Sequence, residues 1–470
     1  MRATTDWEVS DVLKATGGRL VQGPQNRRFS GIGIDSRRIS PGEIFVSIKG
    51  EVHDGHRFIP DVVASGIRGV VIGRKREPEY RNTLIDRPDV VVIAVEETTR
   101  ALGELAAYHR RRIDVPVVAL TGSNGKTTTR AMTEQVLAVR FSVLATSGNL
   151  NNAIGLPLTL LRLTGDHEAA VVEMGMNHPG EIDYLGQIAE PDIGMITNIS
   201  PAHLEGLGSI DGVRDAKGEL LGRIRKEGTA LLNADDPKVL ELVPRSPVTT
   251  LLFGESPAAE IRATEIEEAP GGVRFRLVTP RGDHKVSLTA NGRFMVSNAL
   301  AAAAAGFRMG LEPAEIARGL EKFRPVKGRM EIRASGGVHI IDDTYNANPA
   351  SMAAALRTLD HLKGEARGIA VLGDMLELGP ASAALHRELG ERVARSETAR
   401  LFVTGNLAEA VADGAIAAGM APERIRLGEV AELSEALRRI LKEGDWVLVK
   451  GSRGMRMERI VQNLQKPESE

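Results

Sequence analysis

The sequence predicts an α/β chain of three domains in a row, and three observations carry that prediction. Its 470 residues suit roughly three domains. Short β-branched runs alternate with helical stretches along most of the chain, which implies parallel sheets covered by helices on both faces. The alternation restarts after Pro116 and again around Phe323-Arg324-Pro325-Val326-Lys327-Gly328-Arg329. Proline breaks of this kind mark boundaries. The expected domains are therefore 1–112, 113–324 and 325–470.

In the first domain the runs at 69–72 (Gly-Val-Val-Ile) and 90–95 (Val-Val-Val-Ile-Ala-Val) read as strands between turns rich in Gly, Asp and Pro. A helix is expected over 98–112, because Leu102, Leu105, Ala106 and His109 recur at helical spacing. The second domain opens on a buried strand at 115–120, followed by a Gly-rich turn and a helix from Lys126. Strands at 169–173 and 193–198 continue a doubly wound parallel sheet. Residues 249–290 change to short alternating strands, expected as an antiparallel extension. The third domain repeats the alternation in a Rossmann-like pattern, with strands at 338–341, 368–372, 401–404 and 446–450. Residues 465–470 read as a frayed tail. There is no fixed-period repeat.

Composition excludes several functions. Sixty basic against sixty-two acidic residues leave a net charge of −2, without the basic excess that nucleic acid or anionic membrane requires. Aromatics are 3% of the chain, too few for single-strand binding by stacking. The absence of cysteine removes disulfides, thiolate metal sites and cysteine nucleophiles. The start, Met1-Arg2-Ala3-Thr4-Thr5-Asp6-Trp7-Glu8, lacks the apolar stretch of a signal peptide. The longest apolar candidate, alanine-rich and spanning 298–306, falls short of the ~20 residues that cross a bilayer. A soluble, cytoplasmic protein is expected, with no nucleic acid partner and no membrane insertion.

The strongest local signal is Thr121-Gly122-Ser123-Asn124-Gly125-Lys126-Thr127-Thr128-Thr129, directly after a strand. Glycines let backbone N–H groups approach phosphate oxygens, and the following helix points its positive end at them. Lys126 would neutralise the outer phosphates and the Thr127 hydroxyl would hold Mg²⁺. The common form of this loop has glycine where Leu120 stands, so an ordinary P-loop kinase is disfavoured. Glu173 ends one strand and His203 follows another. Ligands gather at such strand ends in open α/β sheets, and these two side chains could hold a second Mg²⁺. Lys217, read alone, is a solvated helix charge.

Four further segments carry a family resemblance. They are Gly148-Asn149-Leu150-Asn151-Asn152-Ala153-Ile154-Gly155-Leu156-Pro157-Leu158, Asp342-Asp343-Thr344-Tyr345-Asn346-Ala347-Asn348-Pro349, Leu372-Gly373-Asp374-Met375-Leu376-Glu377-Leu378-Gly379 and Val449-Lys450-Gly451-Ser452-Arg453. With the aliphatic Leu120 they make nearly the whole chain resemble the Mur ligases, relatives of the folylpolyglutamate synthetases. The second and third segments resemble the branch that joins D-alanyl-D-alanine to UDP-N-acetylmuramoyl-tripeptide. That resemblance implies an ATP-dependent ligase, expected as a monomer, working through an acyl phosphate with two Mg²⁺ ions. It implies a first domain that binds the UDP moiety through Ser36, Arg37, Lys49 and Gly50, with Asn151 and Asn152 also facing that substrate. It further implies adenine contact by Asn298, phosphate contact by Arg329, and ribose contact or phosphate-site orientation by Asp343. Glu173, His203 and Lys217, the last as a carbamate, would position the metals. Gly292-Arg293-Phe294-Met295 stands where the family commonly has Gly-Arg-His-Asn, so Phe294 would pack where an imidazole usually sits. The competing readings are a sister ligase that adds a single amino acid, a folate polyglutamylase, and a nucleotide-gated scaffold without ligase chemistry.

Overall fold

The computed structural model describes residues 6–50, 53–269 and 271–465, without the side chains of 81–83. Residues 1–5, and residues 466–470 of the expected tail, lie outside the described residues. Gln465 is not frayed: it closes the helix Glu458–Gln465, and its Oε1 accepts from Arg333 at 3.1 Å.

Three main sheets follow one another along the chain. The first has five strands in the order Arg19–Gln22, Val91–Val95, Gly69–Gly73, Glu43–Val46, Gly31–Gly33, and only Arg19–Gln22 pairs antiparallel. The helix Thr98–Arg112 leads from it to the central sheet. Arg110 at its end is fully buried. Its Nε donates to the carbonyl of Ala189 at 3.0 Å, and an Nη reaches Asp192 at 3.3 Å. Asp192 also accepts the N–H of Val117 at 2.8 Å, so this arginine fixes where the next strand starts.

The central sheet has nine strands. From one edge the order is Gly282–Leu288, Gly272–Thr279, Ile261–Ala269, Thr249–Gly254, Thr229–Asn233, Ile193–Ile196, Val117–Thr121, Ala169–Glu173 and Val143–Ala145. The extension over 249–290 differs from expectation. Thr249–Gly254 pairs parallel with Thr229–Asn233 and Ile261–Ala269 pairs parallel with it; only the last two pairings are antiparallel. Alternating apolar residues report a half-exposed strand but not its direction. Val117–Thr121 is buried along its length because each face meets helices. Val118 and Leu120 pack with Met132 and Val136, whereas Val117 and Ala119 pack with Leu185 and Ile188.

The alanine run belongs to the helix Phe294–Arg308, in which Ala299 and Ala301 to Ala305 are fully buried. Small side chains let this helix approach Lys126–Leu137 closely, and a Cβ on Gly306 would stand 2.6 Å from Val136 Cγ1. The run is a packing device that carries Asn298 up to the Gly-rich loop, against Gly125 and Thr129.

The third sheet has six strands: Glu331–Ser335, Val338–Asp343, Trp446–Lys450, Gly368–Leu372, Thr398–Val403 and Ile425–Leu427. All pairs are parallel except the first. Among the described residues no helix is long and apolar enough to cross a membrane.

Candidate active site

Val117–Thr121 is flanked by Ala169–Glu173 on one side and Ile193–Ile196 on the other. Its carboxyl end is therefore a crevice where chain connections diverge, the place where such sheets bind ligands. Leu120 lies in register with Glu173 and Met195 and is fully buried. The position is still core strand, which explains an aliphatic side chain where a turn glycine is common.

The loop that follows is held from beneath. Ser123 N–H donates to the carbonyl of Asn198 at 2.9 Å and Asn124 N–H to Asn198 Oδ1 at 2.8 Å. These two donors are already engaged, so the cradle is narrower than the whole loop. The groups that remain are those of the first turn of Lys126–Leu137, which have no acceptor within the helix. Gly125 caps that turn at φ 78, and a Cβ there would stand 2.3 Å from Asn298 Oδ1. Asn298 itself sits under the loop, its Oδ1 accepting from Thr129 Oγ1 at 3.2 Å. Lys126 Nζ donates to the carbonyl of Gly122 at 2.7 Å. Burial pushes its pKa down, opposed by the nearby Glu173 carboxylate.

Glu173 is 2% exposed. Its Oε1 accepts from Asn151 Nδ2 at 2.8 Å, whereas its buried Oε2 has no hydrogen-bond partner among the described residues. A buried carboxylate oxygen is costly unless something binds it. Lys217 departs most from its reading as a solvated charge: it lies 1% exposed in the helix Ile210–Gly218. Among the described residues no carboxylate pairs with it. Burial, then the charge of Lys126, push its ammonium well below the usual range. A neutral amine is the form that can add CO₂. His203 stands at φ 56, at the head of the helix Leu204–Leu207.

The third sheet closes onto this loop. Arg329 Nη2 donates to Thr127 Oγ1 at 2.8 Å while its guanidinium stacks over Tyr345 at 4.0 Å. Asp343 accepts Met330 N–H at 3.2 Å and forms a buried pair with Lys450 at 2.5 Å. It thereby sets the turn that carries Arg329. Asn348 Nδ2 donates to Asn124 Oδ1 at 2.7 Å.

The resulting cleft, about 1910 Å³, is lined by Lys49 and Gly50 from the first sheet's side, by Ser123 to Thr128, Asn151, Asn152, Glu173, His203 and Asn298 from the centre, and by Arg329 and Asp343. Phe294 also lines it. Ser36 and Arg37 do not; Arg37 forks onto Asp35, with both bonds at 2.9 Å. Asn151 is turned to Glu173, and Asn152 Oδ1 accepts from Gly155 N–H at 2.9 Å, in the turn that leads into the helix Gly155–Leu160. Asn198, Asn348, Lys450 and Glu377 also shape the site, and motif reading assigned them no part.

Among the described residues no three His, Asp or Glu side chains gather as a ready metal cage. Mg²⁺, however, is usually held by one or two carboxylates together with phosphates and water. The unpartnered Glu173 Oε2, the Thr127 hydroxyl and His203 fit that pattern.

Three family profiles match in order: "Mur ligase family, catalytic domain" over residues 28–110, "Mur ligase middle domain" over 120–306 and "Mur ligase, glutamate ligase domain" over 328–453. The UDP-N-acetylmuramoyl-tripeptide–D-alanyl-D-alanine ligase of Bacillus subtilis is 34% identical, covering 97% of this chain and 98% of its own. A crystal structure of MurF from Acinetobacter baumannii superposes with TM-score 0.89 at 34% identity, covering 98% and 99% of the two chains. MurF ligase from Thermotoga maritima in complex with ADP does so with TM-score 0.81 at 29% identity, covering 93% and 97%. Three sheets bordering one cleft, three profiles in the same order and relatives matched nearly end to end lead to one assignment: the chain belongs to the Mur ligase family.

Proposed function

We propose that this chain is an ATP-dependent ligase that joins D-alanyl-D-alanine to UDP-N-acetylmuramoyl-tripeptide, a step of peptidoglycan precursor synthesis. The observation that carries the reading is a phosphate loop completed by a second domain, through Arg329 to Thr127 and Asn348 to Asn124. A binding module has no need to wrap a nucleotide this way. An enzyme with a water-sensitive intermediate does. The near full-length match to ligases of that name supports the choice of substrates.

A carboxylate and an amine do not condense usefully in water without activation. The tripeptide's terminal carboxylate attacks the γ-phosphate, giving an acyl phosphate and ADP. The amine of D-alanyl-D-alanine then attacks the acyl carbon and phosphate leaves. Lys126, the N–H groups of the helix start and Arg329 lower the repulsion between the carboxylate and the triphosphate. Two Mg²⁺ ions, held by Thr127, Glu173, His203 and Lys217 as a carbamate, would add positive charge there. Lys49 and Gly50 face the UDP end. Asn298 keeps the loop in shape beside the base and Asp343 holds Arg329 in place. The same reading has the enzyme acting as a monomer in the cytoplasm, the compartment of its nucleotide substrates.

Replacing Arg329 with alanine is expected to raise the KM for ATP about tenfold, the worth of a hydrogen bond to a charged group. Affinity for the UDP substrate should stay unchanged. Initial rates at varied ATP, with equilibrium binding of the UDP-tripeptide, check both. The proposed reaction as a whole is tested by ADP release with each substrate omitted in turn, and by a panel of amines. Release that ignores D-alanyl-D-alanine but responds to a single amino acid or to glutamate would assign the chain to a sister ligase or a folate polyglutamylase.

A further inference from the structure

The segment 372–379 marked the family resemblance but takes no part in the reaction as proposed. It is firmly built. Buried Asp374 accepts the N–H groups of Asn406 at 2.7 Å and Leu407 at 3.2 Å. Met375 N–H donates to His386 Nε2 and Leu376 N–H to Ser452 Oγ, each at 2.9 Å. Met375 and Leu378 are core residues. Between them Glu377 is held at φ 64, a left-handed conformation that a residue with a side chain adopts only under constraint.

Facing it is His203, also left-handed at φ 56. Nδ1 of His203 lies 2.6 Å from Oε2 of Glu377, and Glu205 N–H donates to the Glu377 carbonyl at 3.2 Å. The two loops touch: a Cβ on Gly379 would stand 3.3 Å from Glu205 Cα. The contact falls short of hydrogen-bond alignment, and among the described residues the buried Nδ1 has no other partner. An imidazole that binds a cation through one nitrogen needs an acceptor on the other, which fixes both tautomer and ring direction.

We propose that Glu377 is the positioning residue for His203, its carboxylate taking Nδ1–H so that Nε2 is presented to the cleft. The inference rests on the proposed ligase reading and extends it. His203 is fully set only when the third domain is closed, so closure prepares the metal site through a residue that never touches the metal. Glu377 is half-exposed, and such pairs contribute little stability. What it supplies is direction.

The test is nitrogen NMR of the full-length enzyme labelled at histidine, with and without a non-hydrolysable ATP analogue. The His203 signal is identified by its loss in His203→Gln. Wild type with analogue should show the Nδ1-protonated tautomer. Glu377→Ala should show a mixture, and Glu377→Gln, whose amide oxygen still accepts, should restore the wild-type pattern. Mn²⁺ titration of the analogue complex, followed by electron paramagnetic resonance, should weaken about tenfold in Glu377→Ala. Its kcat should fall while the KM for the UDP-tripeptide holds. An unchanged His203 tautomer in Glu377→Ala overturns the proposal. A wild-type enzyme that holds no Mn²⁺ beside the analogue overturns the metal part of the ligase reading instead, and the tautomer still decides for or against Glu377.

Discussion

Lys126→Ala is expected to lower ligation about a thousandfold or more while leaving the affinity for the UDP-tripeptide intact. Removing a single preorganised donor from a developing charge commonly costs 10²–10³ in rate, and Lys126 is the donor proposed to face the transferred phosphoryl group. Among the described residues its Nζ has only the Gly122 carbonyl as a hydrogen-bond partner, so the substitution removes little that holds the fold. Lys49 and Gly50, which line the cleft from the first domain, are untouched. Single-turnover ADP formation and equilibrium binding of the UDP-tripeptide separate the two effects. Ligation at near wild-type rate would remove Lys126 from the chemistry.

The second large effect belongs to Lys217. Burying an ammonium without a counter-ion is costly, so a residue retained only for packing would be better served by an apolar chain of the same length. Lys217→Met is therefore expected to keep or raise the melting temperature while ADP formation falls at least about a hundredfold. That pairing of signs distinguishes a reactive amine from a structural one. Native mass spectrometry of wild type should show an increment of one CO₂ that disappears on acidification. A methionine variant that melts early but turns over normally would make Lys217 a packing residue.

Much of the fold was legible because its strands are contiguous apolar runs between strong breakers. Ala169–Glu173, Gly368–Leu372 and Trp446–Lys450, and the helix Thr98–Arg112, fall where the residue pattern puts them. The short edge strand Ile425–Leu427 and the hairpin strand Glu331–Ser335 carry too few apolar residues to announce themselves. The direction of Thr249–Gly254 depends on its neighbour and not on its own pattern. The strand–turn–helix around Gly122 to Thr129 was readable because its signal is local: glycines, lysine and threonine within one turn. The partners of Asp343 were not. Asp343 meets Lys450 because their strands are neighbours in parallel register, a fact of strand order that no local pattern encodes. The same holds for Asn348 on Asn124 and Glu377 on His203, contacts that exist only once two domains face each other. The burial of Lys217 was hidden because a helix charge looks the same in sequence whichever way the helix turns.

The central claim is that the tripeptide's acid takes the terminal phosphoryl group of ATP at the loop around Lys126. It is tested most directly by labelling the two oxygens of that carboxylate isotopically and following them through one round of ligation. Transfer of one labelled oxygen into the released phosphate, dependent on Lys126, is the predicted result. Phosphate free of label, with D-alanyl-D-alanine still joined, would contradict it.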